Sequence, residues 1–142
     1  MNYWIGVIGS SMSFKRFLNN ELWFCMPPAA DVGDIVVMYV SRKGSEPKAG
    51  VFAFYKIKSK DESNVAQCSQ YGSLSGAGER LSYVEFELIA NLDKSISFQD
   101  IKKEPRFFNT LYVRRQMQAT YFKISNSEYE TFVNLGNKIN GS

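Results

Sequence analysis

"VGDIVVMYVS", residues 32–41, is the stretch on which the reading of the fold turns. Gly33 followed by Asp34 marks a turn, since glycine supplies backbone angles that other residues avoid and aspartate bonds its own turn backbone. The turn launches Ile35 to Val40, an apolar run rich in β-branched side chains, which reads as a strong strand. Beyond it lies a polar loop, "RKGSEPKA" at residues 42–49, and then a second run, "GVFAFYKIK" at residues 50–58. Two strands joined by such a loop predict an antiparallel pair.

Upstream, "YWIGVIGS" at residues 3–10 predicts a buried strand over 3–8, followed by small residues that leave space. "SFKRFLNNEL", residues 13–22, puts Phe14, Phe17 and Leu18 at helical spacing behind a Ser13 cap. Trp23 to Met26 form a brief aromatic segment stopped by Pro27 and Pro28. Downstream, residues 60–79 lose their apolar period and form a long Ser/Gly-rich connection, a length that marks functional or mobile loops.

Alternation resumes in "RLSYVEFELI", residues 80–89, with Val84, Phe86 and Leu88 on one face and Tyr83, Glu85 and Glu87 on a solvated one. A turn is expected near residues 91–94. Ser97-x-x-Asp100 and Ser125-x-x-Glu128 have capping-box spacing and open two helices, with a last strand around Tyr121 to Ile124 between them. Tyr129, Phe132, Val133 and Leu135 stripe the C-terminal helix. The expectation is an α+β fold: one domain over residues 1–136, a curved, mostly antiparallel, barrel-like sheet flanked by three short helices, and a tail at 137–142 that frays.

The totals suit such a domain: 142 residues, 44% hydrophobic and 22% charged, with a net charge of +3 that permits an anionic partner without demanding one. No apolar run is long enough to span a membrane, and no leader-like segment precedes the first strand, so a cytoplasmic location is expected. Cys25 and Cys68 are expected to be reduced and structural there. The chain has no histidine, which removes the commonest general base and metal ligand and both Ser-His and Cys-His nucleophile pairs. No catalytic set, metal or cofactor is expected.

What is left is binding. The chain carries 11 Phe, 8 Tyr and 2 Trp, and Trp4, Trp23, Phe24, Tyr39 and Tyr121 fall at strand ends or edges. Core filling explains such rings one at a time. Together with the short polar residues Ser10, Ser11 and Ser41 they suggest a slot for a flat base, with π faces as walls and small donors and acceptors at its edge. Arg42, Lys43, Lys48, Arg114 and Arg115 are the candidates for phosphate contacts, against a reading of them as solvated surface.

The run "YWIGV", "ELWFCMPP", "VGDIVVMYVS", "AGVFAFYKI" and the C-terminal block from "KSISFQDIKKEP" to "ISNSEYETFV" resembles EVE domains of the PUA-like superfamily, over nearly the whole chain. The resemblance implies a pseudobarrel with flanking helices and a pocket for a modified or flipped base in DNA or RNA; YTH, PUA and ASCH domains are its wider relatives. It carries over Trp4, Trp23, Tyr39, Ser41 and Arg114 as the matching positions. The function expected is a non-catalytic nucleic-acid reader, with a small-molecule or protein interaction domain using the same cavity as the alternative.

Overall fold

Six strands in one curled, mixed sheet make the frame, in the order β2-β5-β4-β3-β1-β6. The computed structural model describes residues 1–9, 11–41, 49–61, 68 and 81–141. Its elements, in chain order, are β1 (Tyr3–Ile8), α1 (Ser11–Leu18), β2 (Trp23–Met26), β3 (Ile35–Val40), β4 (Gly50–Asp61), β5 (Ser82–Ile96), α2 (Phe98–Lys103), a 3-10 turn (Pro105–Phe107), α3 (Leu111–Arg114), β6 (Tyr121–Ile124) and α4 (Asn126–Ile139). The α+β fold and barrel-like sheet expected from the sequence are therefore present. β3 and β4 pair antiparallel as anticipated, while β1 lies parallel to β3 and antiparallel to β6.

The turn before β3 is built as read. The amide of Asp34 donates to the Asp31 carbonyl at 3.0 Å, and Gly33 sits at φ +94, a value that suits the third position of a type II turn. From there the sheet is buried on both sides. On its inner face Trp4, Ile8, Val36, Met38, Val40, Phe52 and Tyr55 gather with Phe14 and Phe17 of α1. On its outer face Ile5, Val7, Val37, Tyr39 and Phe54 meet Ile101, Phe107, Tyr112 and Phe132 from the C-terminal helices. Covering both faces explains why β3 is apolar at every position instead of alternating.

Three expectations need correcting. The turn near 91–94 is a bulge inside β5: between the pairs Ala53↔Asn91 and Val51↔Ile96 the chain takes five steps on β5 against two on β4. Further register shifts upstream leave Leu88 exposed, although Val84 and Phe86 point inward as expected. Helical structure continues past residue 136, where the tail was expected to begin. α4 runs to Ile139, and the Asn140 side chain accepts from the Lys94 amide at 2.8 Å and donates to the Lys94 carbonyl at 3.1 Å. Backbone groups that the bulge leaves unpaired thus find a partner.

The cysteines are also paired, not reduced: a Cys25–Cys68 disulfide ties β2 to the connection that follows β4. Among the described residues four helices stand where three were expected, the addition being α3. Among the described residues no helix is long and apolar enough to cross a membrane.

Candidate functional site

Trp4 does not wall an open slot. Its indole is 3% exposed, its Nε1–H donates to Asp34 Oδ2 at 3.0 Å, and the edge of Tyr121 meets it at 5.9 Å between ring centroids. Nor does Gly6 hold space open beside it. A Cβ there would sit 2.7 Å from Met38 Sδ and 3.2 Å from the Phe24 ring, so the glycine lets core side chains close over the strand.

Phe24 belongs to the inner core, and Tyr39 lies on the opposite, helix-covered face, where burial pushes its phenol pKa upward. Alternation along a strand separates them: Val36, Met38 and Val40 face inward, so Tyr39 cannot share a slot with Trp4. Ser11 is exposed at the start of α1, and Ser41 ties its amide to the Ile8 carbonyl at 3.0 Å. Ser10, Arg42, Lys43 and Lys48 lie outside the described residues, as does most of the 60–79 connection. The single slot expected from the sequence is therefore not assembled from these aromatics. Trp23 and Phe24 line one concavity and Tyr121 another, while Trp4 and Tyr39 line neither.

The first is a cleft of about 910 Å³ that contains Trp23 and Phe24. Trp23 is 36% exposed and lies stacked on Tyr83, with centroids 4.7 Å apart and planes within 15°. The pair exists because β2 and β5 run antiparallel with Cys25 opposite Tyr83 and Trp23 opposite Glu85, which puts all four on one face. Arg16 and Lys58 bring positive charge to the cleft, Glu21, Glu85 and Glu87 negative.

Arg16 arrives there through the end of α1. Asn20 turns left-handed at φ +68, its amide donates to the Phe17 carbonyl at 3.1 Å, and the Glu21 amide reaches back to the Arg16 carbonyl at 2.8 Å. This is a Schellman ending, and it folds the chain straight back into β2.

The second concavity is a groove of about 470 Å³ lined by Tyr121, Arg115, Lys123, Tyr112 and Glu128 among others. Arg114 is not in it; the expected basic pair is split by the end of α3. Gln116 and Met117 then take left-handed angles, φ 54 and 59, in a tight turn that buries Met117 and sends the chain into β6. Two successive side-chain-bearing residues in that region are strained, and the packing of Met117 holds them. At the groove wall the Tyr112 hydroxyl donates to Glu128 Oε2; burial first, then this carboxylate, raises the phenol pKa steeply, so it stays a neutral donor.

The two concavities flank one plug. The Cys25–Cys68 pair and Leu81 form a small buried cluster against which both Tyr83 and Tyr121 pack. Sequence reasoning missed Arg16, Lys58, Tyr83 and Lys123. For Tyr83 the strand alternation already marked an outward ring, but only the β2–β5 register sets it under Trp23.

The geometry matches known proteins throughout. A hypothetical protein from Leishmania major superposes with a TM-score of 0.67 at 15% identity, over 98% of this chain and 96% of that one. A Pseudomonas putida protein gives 0.68 at 13% identity over 94% and 99%, and ASCH from Zymomonas mobilis gives 0.59 at 11% identity over 94% and 95%. The comparison with curated proteins returned no match. These likenesses show a shared fold. The EVE domain family model matches residues 2–135, nearly the full length, and the chain belongs to the EVE domain family.

Proposed function

We propose that this protein is a non-catalytic nucleic-acid-binding module that takes one modified or extruded base of DNA or RNA onto an aromatic platform. The observation that carries the reading is the Trp23–Tyr83 stack, with one indole partly exposed in a cleft large enough for a nucleoside. A rigid ring already stacked on its underside loses little freedom when a base covers its open face. The carboxylates of Glu85 and Glu87 beside it can accept from exocyclic amino groups, and Arg16 and Lys58 can donate to ring acceptors. Membership in a family related to nucleic-acid-binding folds points the same way. The cytoplasmic setting expected from the sequence stays part of this proposal, and it requires the buried bridge to resist a reducing pool.

The alternative is a small-molecule or protein interaction domain using the same cleft. The three carboxylates there favour it, because acidic groups repel a polyanion.

An array of oligonucleotides bearing methylated and hydroxymethylated bases, titrated with tryptophan fluorescence as readout, separates the two. Trp23→Ala is expected to cost roughly 1 to 3 kcal/mol of binding while leaving the fold intact. A folded Trp23→Ala protein that binds every oligonucleotide like the wild type removes the platform from the proposal. Binding of a ligand with no salt dependence supports the alternative.

A further inference from the structure

The groove beside β6 sets two cations against a single carboxylate. Arg115 and Lys123 both line it, and neither makes an ion pair among the described residues. Its carboxylate, Glu128, is already engaged at both oxygens: Oε2 accepts from the Tyr112 hydroxyl, and Oε1 accepts from the Ser125 amide at 2.9 Å. Lys123 Nζ is held 5.9 Å over the Trp4 ring, on the side of the sheet where Tyr121 forms the groove wall. The Trp23 cleft has the opposite balance, two cations against three carboxylates, and is a poor place for an anion.

We infer that the Arg115–Lys123 groove binds a phosphate group. The planar guanidinium suits two phosphate oxygens at once, and the ammonium adds a compact charge from the other wall. Both concavities abut the Cys25–Cys68–Leu81 plug, through Tyr83 on one side and Tyr121 on the other. A strand with a base on Trp23 would therefore cross the plug to lay its backbone on Arg115 and Lys123. In that form the inference rests on the proposed function. The phosphate chemistry itself is shared by a backbone diester and a free phosphomonoester, and the experiment distinguishes them.

The variant is the double substitution Arg115→Gln with Lys123→Gln; both side chains are exposed, and thermal unfolding should be unchanged. In one arm, inorganic phosphate and a nucleoside 5′-monophosphate are titrated into isotope-labelled protein. Saturable amide shifts confined to residues 110–123 are expected, and they should vanish in the variant. In the other arm, a short single-stranded oligonucleotide is titrated between roughly 50 and 200 mM salt, and the variant's log–log salt slope should be smaller by about 1.4, two phosphate contacts' worth.

Shifts with the monoester and no oligonucleotide binding by the wild type would keep the groove as a monoester site and remove the nucleic-acid reading. Oligonucleotide binding that Trp23→Ala weakens, with a slope the charge variant leaves unchanged, would keep the cleft and overturn the groove as a backbone site. Absence of both the shifts and the slope change overturns the inference outright.

Discussion

Asp34 shows how a residue read as turn chemistry becomes a structural hub. Its carboxylate is 2% exposed and accepts from three donors: the Asn2 amide at 2.9 Å, the Asp31 amide at 2.9 Å and the Trp4 indole at 3.0 Å. These bonds join the entrance of β1 to that of β3, the one parallel pairing among the described strands. Asp34→Ala strands all three donors at once, two of them backbone, and is expected to cost about 3 kcal/mol or more in urea unfolding. A loss under about 0.5 kcal/mol would mean that the network does not hold the strand pair. Tyr55 gives a second measurement at this scale. Burial pushes its phenol up to about 12, so the stability it contributes is whole below pH 10 and drains away as the pH rises through 12. Roughly 2 to 3 kcal/mol should be lost across that window, and Tyr55→Phe should flatten that part of the profile. An equally steep fall in the Phe variant would assign the loss to other groups.

The β5 bulge and the end of α4 support one another at the scale of elements. The extra residues carry Leu92 against Gly136, where a Cβ would meet the leucine at 3.2 Å, and they expose the Lys94 amide and carbonyl to Asn140. Asn140 also caps its own helix by donating to the Gly136 carbonyl at 2.8 Å. Asn140→Ala is expected to cost about 1 kcal/mol, and truncation after residue 136 more than that. Hydrogen exchange gives the local check: amides of α4's last turn and of residues 92–95 should lose protection together, and independent behaviour would break the link. Both capping boxes, by contrast, were legible in advance. Ser97 and Asp100, and Ser125 and Glu128, exchange the reciprocal bonds that their spacing predicts, because a cap is satisfied within four residues of itself.

Closure of the curled sheet is a matter for the whole molecule. β2 and β6 are its two edges, and the disulfide cluster fills the ground between Tyr83 of β5, next to β2, and Tyr121 of β6. Cys25 and Cys68 are 43 residues apart in sequence, so removing the bridge as Cys25→Ser with Cys68→Ser should cost about 4 kcal/mol on a chain-entropy account. Differential unfolding with and without a dithiol tests this. A wild-type protein that unfolds identically in both would show that the bridge contributes no stability.

What the sequence determined by itself was whatever depends on neighbours along the chain. The strands at Tyr3–Ile8 and Ile35–Val40, the turn at Gly33, the two capped helices and the family likeness all follow from short-range pattern. Tertiary structure alone decided which rings meet. Trp4 and Tyr39 belong to adjacent strands, yet the one-residue parity of their positions sends them to opposite faces. Trp23 and Tyr83 lie far apart in the chain, yet the β2–β5 register stacks them. Strand pairing and register are long-range choices, set by which apolar faces can be buried together, and no local pattern around Trp23 contains the residue that will lie beneath it.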